Sequence, residues 1–151
     1  MTGDDADRAT VGVHAHLAQG RIDPRRREHC PGAMIDAMVA MTSERFEELV
    51  ASALDSLPES LGRAMENVSV GVDPFAPAGR LFGLYEGVPL THRGIGYSAV
   101  MPDRITIFMR SICASCRSEE EVTVAVRKTV IHEIAHHFGI NDTRLTELGW
   151  A

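Results

Sequence analysis

The sequence predicts an α+β fold, because two helical patterns enclose a stretch of strand patterns. After Ser43, apolar residues recur with the spacing of an amphipathic helix. Between residues 68 and 109, short segments alternate apolar and polar residues, as half-buried strands do. From Ser118 to Phe138 a second helical pattern runs without interruption. With 151 residues, the chain is long enough for one domain with its own core.

The first helix has one apolar stripe, formed by Phe46, Leu49, Val50, Ala53, Leu54 and Leu57. A short second helix is predicted from Ser56, where Ser56 and Glu59 form a capping-box pattern. Its predicted buried face consists of Leu61, Ala64 and Met65. The predicted strands are 68–72, 81–85, a short one at 97–101, and 104–109, in which Ile105, Ile107 and Met109 share one face.

The segment 118–138 fits both a helix and, in part, a strand, because Val122, Val124 and Val126 alternate with other residues and β-branched side chains favour strands. Two observations favour helix. Ser118 and Glu121 form a capping box at its start. An unbroken series at i, i+4 then follows: Val122, Val126, Val130, Ile134 and Phe138. We therefore predict a buried helix that keeps one polar wedge.

Residues 1–40 differ from the rest of the chain. They contain acidic residues near the start, the run Arg25-Arg26-Arg27 and few large apolar side chains, so they cannot bury enough surface to offset the entropy of ordering. We expect a flexible extension at 1–40 and a folded domain at 41–151. Because Met41-Thr42-Ser43-Glu44 is typical of a natural start, an over-extended gene start is an alternative explanation for the extension.

Composition narrows the function classes. The net charge of −6 gives no electrostatic reason to expect a nucleic acid or an anionic membrane as partner. No apolar run approaches the roughly 20 residues that span a bilayer, and the N-terminus lacks the apolar segment of a signal peptide. Three cysteines do not form a disulfide framework. These features predict a cytoplasmic protein with reduced thiols.

The polar wedge of the long helix contains the motif H-E-x-x-H, formed by His132, Glu133 and His136. Residues four apart lie about 40° from each other around a helix, so the two imidazoles can share one Zn²⁺. Glu133 is placed to accept a proton from a water at that ion. Gly139 can end the helix in the left-handed conformation, which would let Asp142 approach as a third ligand.

Two alternatives concern the third ligand. Asp142 could act only as the N-cap of a last short helix, a position that aspartate favours. Glu147 is the competing ligand. His137 is about 100° away from the ligand wedge and is expected to have no metal role. Cys113 and Cys116 have no second pair with which to form a structural zinc site, so we interpret them as incidental.

The extended motif from His132 to Asp142, followed by the stretch from Arg144 to Trp150, resembles a family of small bacterial zincin-like metallopeptidases. The similarity extends to residues 44–50, 84–91 and 102–108, and covers the chain from about Met41 onward. It implies a minimal zincin-like fold: a small mixed sheet, an N-terminal helix and an active-site helix packed across the sheet. It also implies zinc held by His132, His136 and Asp142.

The resemblance implies a zinc-dependent metallopeptidase that cleaves peptides or unfolded proteins, with Glu133 as general base. Only twelve residues follow Gly139, too few to build the lower wall of the cleft in full-size zincins. The alternative is therefore a zinc-stabilised binding module with little turnover of its own. A partner protein that completes the cleft would reconcile the two interpretations.

Overall fold

The computed structural model describes residues 14–19, 38–65, 67–77, 81–94 and 101–148, the first of these as backbone. The strands are β1 (His14–Gln19), β2 (Val68–Asp73), β3 (Leu81–Gly87) and β4 (Asp103–Phe108). The helices are α1 (Ser43–Asp55), α2 (Glu59–Ala64), α3 (Met109–Cys113), α4 (Glu119–His137) and α5 (Asp142–Glu147). One 3₁₀ turn, Leu90–His92, follows β3. The predicted α+β class is confirmed.

The four described strands form one mixed sheet in the order β1-β3-β4-β2. β4 pairs parallel with β2 and antiparallel with β3, and β1 adds antiparallel to the free edge of β3. Each predicted strand among the described residues is present within one or two residues of its expected bounds. The predicted strand at 97–101 falls mainly on residues 97–100, which lie outside the described residues.

The core lies between α1, α4 and one face of the sheet. Helix α4 contacts α1 on one side and β3, β4 and β1 on another. The apolar stripe predicted for α1 is buried at Phe46, Leu49, Val50 and Ala53. It joins a cluster that includes Val122, Val126, Val130 and Ile134 of α4 and Ile105 and Ile107 of β4. Burial of these side chains holds α4 across the sheet.

Burial along α4 shows why the valine-rich segment is a helix. Val122 and Val126 are buried, whereas Val124 between them is 68% exposed on the opposite side. The Ser118 hydroxyl accepts a hydrogen bond from the Glu121 N–H at 3.3 Å, as the capping pattern predicts. Packing of the i, i+4 stripe therefore outweighs the local preference of valine for strand.

The predicted start of α2 is wrong. Ser56 lies in a helical conformation at the end of α1, where its hydroxyl donates to the Ala53 carbonyl at 2.7 Å, instead of capping α2. Pro58 precedes α2 without any side-chain cap. None of the six described residues of α2 is buried, and Leu61 is 38% exposed. Of the predicted buried face, Leu61 and Ala64 are exposed, whereas Met65, just after the helix, is partly buried against the core.

The N-terminal segment also departs from expectation. Residues 14–19 were expected to be flexible but form β1 on the edge of the sheet. Strand pairing uses backbone groups, so a composition poor in large apolar residues does not prevent it. The remainder of 1–37 lies outside the described residues, and the division of the chain at residue 40 stays a prediction.

Candidate metal centre

Helix α4 brings His132 and His136 together one turn apart. Their ring centroids are 4.7 Å apart and their planes lie at 85°. The Nδ1 atom of His136 is 2.9 Å from the Ile140 carbonyl oxygen. Because a carbonyl can only accept, this Nδ1 carries the proton, and Nε2 keeps its lone pair for a metal. The backbone after the helix thus sets the tautomer that a ligand requires.

The chain turns back at Gly139, as the sequence predicts. Gly139 has φ of +80°, and its N–H donates to the His136 carbonyl at 2.9 Å. The Ile140 N–H donates to the Ala135 carbonyl at 2.9 Å, which completes a Schellman ending. A Cβ atom at Gly139 would collide with the Thr91 side chain. Conformation and close approach therefore both require glycine here.

Gly139→Ala should destabilise the protein by about 1–3 kcal/mol, because alanine must adopt a left-handed conformation and displace Thr91. Chemical denaturation measures this difference. Gly62→Ala is the matched control: nothing lies within 4 Å of its new methyl group, and alanine favours a helix interior. An equal response of the two variants would contradict the assigned role of Gly139.

The structure after the turn shows that Asp142 is not the N-cap of α5. The N-cap of α5 is Asn141, whose side-chain oxygen accepts from the Arg144 N–H at 2.9 Å. Asp142 is the first helical residue, so it is not needed as the cap. Glu147, the competing ligand, is an exposed partner of Arg144 at 2.7 Å and does not join the His132 group among the described residues.

The structure brings His132, His136 and Asp142 together. Asp142 Oδ1 lies 3.3 Å from Nε2 of His132 and 3.2 Å from Nε2 of His136. Two donors at about 2.0–2.1 Å from a tetrahedral ion lie about 3.3 Å apart. Two imidazole nitrogens and one carboxylate oxygen with this spacing form a group that could hold a metal ion. Since Asp142 is 60% exposed, a fourth position at such a site would be open towards solvent.

Glu133 lies beside this group and packs onto β3. A Cβ atom at Gly83 would be only 2.7 Å from Oε1 of Glu133, so glycine makes room for the carboxylate. Glu133 is 0% exposed, and within the described part of the chain neither carboxylate oxygen accepts a hydrogen bond of ordinary length and angle. Burial raises the pKa of Glu133 to about 8, with the charge of Asp142 adding to the rise and the Tyr85 backbone amide opposing it. A neighbouring cation would favour the ionised form, so the surroundings of Glu133 suit a metal site.

A second cluster, centred on Asp103, was not expected from the sequence. Asp103 is fully buried at the start of β4. Its Oδ2 accepts from the Tyr85 hydroxyl at 2.6 Å, from Arg93 Nη2 at 2.6 Å and from His137 Nδ1 at 2.8 Å. Its Oδ1 accepts from the Val88 N–H at 3.2 Å. This carboxylate therefore links β3, the following loop and the end of α4 at one point beside the candidate metal site.

Asp103 is stabilised in its ionised form. Burial by itself would raise its pKa, but the hydrogen bonds from Tyr85, His137 and the Val88 backbone, together with the charge of Arg93, lower the pKa overall. Sequence analysis treated Pro102-Asp103 only as a turn. The available signal was an acidic residue directly before an apolar strand, but nothing in the spacing identified its three side-chain partners.

Comparison with known proteins places the chain in a family. The family model described as zincin-like metallopeptidase matches residues 65–150, which is more than half of the chain. The chain therefore belongs to the zincin-like metallopeptidase family, as its resemblance predicted. No curated protein matches it closely enough to be reported as a relative. Among the described residues, no helix has both the length and the apolar character needed to cross a membrane.

Proposed function

We propose that this protein is a zinc-dependent peptidase in which His132, His136 and Asp142 hold the metal ion and Glu133 is the general base. The observation that carries this proposal is the spacing of the three ligand atoms, with Oδ1 at 3.3 and 3.2 Å from the two Nε2 atoms. The donor set of two histidines and one carboxylate suits a catalytic zinc site with one open position. Membership in the zincin-like metallopeptidase family supports the same chemistry.

The chain's own residues account for the proton transfers of peptide hydrolysis. A Zn²⁺ ion held by His132, His136 and Asp142 would supply Lewis-acid chemistry, in that it would polarise the scissile carbonyl and lower the pKa of the attacking water to about 7. Glu133 takes the proton from the attacking water and passes it to the leaving amine. Gly83 and the surrounding strand restrict the carboxylate to a narrow space, which reduces the reorganisation needed during this transfer.

The proposal is tested by metal analysis and hydrolysis of a fluorescence-quenched casein. The purified protein should contain one zinc per chain and lose hydrolysis when a chelator removes the metal. Restoring Zn²⁺ should restore the activity. Zinc at full occupancy with no turnover of casein or of diverse peptides would favour a zinc-stabilised binding module. Hydrolysis that persists without metal would overturn the proposed chemistry.

Asp142→Asn should weaken zinc binding by at least roughly tenfold. A neutral amide oxygen is a poorer zinc donor than a carboxylate, and even loss of groups behind the ligands costs about 10–100-fold in affinity. Competition titration against a fluorescent zinc chelator measures the change. Unfolding of the metal-free protein should hardly be affected, because Asn141 provides the cap of α5.

Asn141→Ala is the matched control for Asp142→Asn. It removes the cap one residue away and should lower the stability of the metal-free protein by about 1 kcal/mol. Its side chain is not in the proposed ligand set, so any loss of zinc affinity should be smaller than that of Asp142→Asn. Unaltered zinc affinity in Asp142→Asn would exclude Asp142 as a ligand.

A further inference from the structure

Strand β1 covers the outer edge of β3 with an extended segment of the chain itself. The pairing is antiparallel and runs from His14 opposite Gly87 to Gln19 opposite Leu81, with one irregularity next to Ala18. Such pairing is made by backbone N–H and C=O groups. Any extended peptide can offer the same groups, which is how peptides add to open sheet edges in other proteins.

The covered edge belongs to β3, the strand against which Glu133 of α4 packs. Gly83 of β3 lies directly against Oε1 of Glu133, and Ala18 is the residue opposite Gly83 in the register. Helix α4 contacts β1 as well as β3. The backbone of residues 14–19 therefore passes close to the proposed general base.

The two histidines are on the same side of α4 as this edge. Around the helix, His136 and His132 lie about 60° and 100° to one side of Glu133, whereas Val130 and Ile134 lie about 60° and 100° to the other. Val130 and Ile134 belong to the core that α1 shares with Ile105 of β4. Since β4 and β1 flank β3 on opposite sides, the histidine side of α4 faces β1.

The side of the centre that holds the proposed general base is closed in this arrangement, whereas the Asp142 side is open. Glu133 and His136 are 0% and 2% exposed, and only Asp142 is largely open to solvent. A peptide bond must reach both the metal and the general base to be cleaved. The open side leads to the metal position, whereas an extended peptide that lies along β3 and also reaches Glu133 requires the edge that β1 now covers.

We propose that residues 14–19 act as an intramolecular ligand of the β3 edge, so that an extended peptide binds beside Glu133 only when β1 detaches. The peptide would pair with β3 through its backbone, and its recognition would depend little on sequence. A six-residue edge strand with one neighbour is easily opened, so this closure is reversible. The inference rests on the proposed function only in treating that peptide as a substrate, because binding itself needs no metal.

Two pairs of substitutions change the pairing of β1 with β3 in opposite ways: one weakens it and the other locks it. Ala15→Pro combined with Ala18→Pro removes two backbone N–H donors. Along an edge strand only every second N–H points towards the neighbouring strand, and residues 15 and 18 are an odd number apart. One of the two prolines therefore removes a hydrogen bond to β3. Ala15→Ser combined with Ala18→Ser is the matched control, because it keeps both donors. Ala15→Cys combined with Glu86→Cys joins two directly opposite residues and should lock β1 in place when oxidised.

Binding is measured by fluorescence anisotropy with a fluorescein-labelled peptide of this chain's own residues 13–20, in excess chelator so that no cleavage occurs. The proline variant should bind about tenfold more tightly than the wild type and the serine control, since its edge is free in most molecules. The oxidised cysteine variant should not bind, and a reductant should restore wild-type affinity. Equal affinity in the oxidised and reduced forms would overturn the inference, even if the proline variant fails to fold.

Casein hydrolysis by the same zinc-loaded proteins separates this inference from the proposed function. If the proline variant binds the peptide but no form cleaves casein, the closure stands and the peptidase proposal fails. If all forms cleave casein at the same rate, the protein is a peptidase and the closure is overturned. Faster cleavage by the proline variant and none by the oxidised cysteine variant would support both.

Discussion

Glu133→Gln should reduce peptide hydrolysis by about 10²–10⁴-fold and leave the zinc content at one per chain. Glutamine has nearly the same shape as glutamate, so it still fits the space above Gly83. It cannot accept a proton from the attacking water, and this loss accounts for the expected decrease. The three proposed metal ligands are unchanged, so metal binding continues. Steady-state hydrolysis of casein and metal analysis of the same sample provide the two measurements.

The matched control for Glu133→Gln is Glu120→Gln. Glu120 is a solvent-exposed glutamate in the first turn of the same helix, far along α4 from the ligands. This variant should hydrolyse casein at the wild-type rate. If Glu133→Gln retained full activity while Glu120→Gln behaved as wild type, Glu133 could not be the general base.

Asp103→Asn should destabilise the folded protein by about 3–5 kcal/mol, because it removes a buried negative charge that accepts hydrogen bonds from Tyr85, Arg93 and His137. The Arg93 side chain is only 10% exposed, and its guanidinium would face a neutral amide in place of the carboxylate. A loss of this size is a large part of the 5–15 kcal/mol that typically stabilises a domain. Denaturant unfolding measures it, and Glu147→Gln, which disrupts an exposed ion pair, is the control with little expected effect.

The pH dependence of unfolding provides a separate check on Asp103. Its folded pKa is lowered, so its ionisation stabilises the fold fully above the pKa of an unfolded aspartate, about 3.9. That stabilisation is lost as the pH falls towards the lower folded pKa. Between neutral pH and pH 3, the wild type should therefore lose more stability than Asp103→Asn does. Parallel curves for the two proteins would show that Asp103 is not held in its ionised form.

The motif and its helix were predictable from local patterns. A helix of period 3.6, a serine cap and a glycine ending are all properties of neighbouring residues, and they define α4 and its turn. The proximity of Asp142 to the histidines follows from the same turn. The choice between Asn141 and Asp142 as the cap could not be made from sequence, since both residues favour that position.

Features that depend on distant contacts were not predictable. Asp103 accepts hydrogen bonds from Tyr85, Arg93 and His137 because the fold brings β3, the loop after it and the end of α4 next to the start of β4. The spacing of these residues in the sequence does not indicate this contact. The pairing of β1 with β3 uses backbone groups that every residue has, so composition could not reveal it. Ser56 was misassigned because a serine hydroxyl can either accept from the first turn of the next helix or, as here, donate back to the carbonyl three residues earlier.

Anomalous scattering recorded on both sides of the zinc absorption edge, from crystals of the purified protein, tests the central claim most directly. We predict a single peak in the difference map between the two wavelengths, within bonding distance of Nε2 of His132, Nε2 of His136 and Oδ1 of Asp142. A peak whose ligands include Glu147 but not Asp142 would show that the third ligand is misassigned. A zinc-loaded protein with no peak between the two histidines would contradict the account.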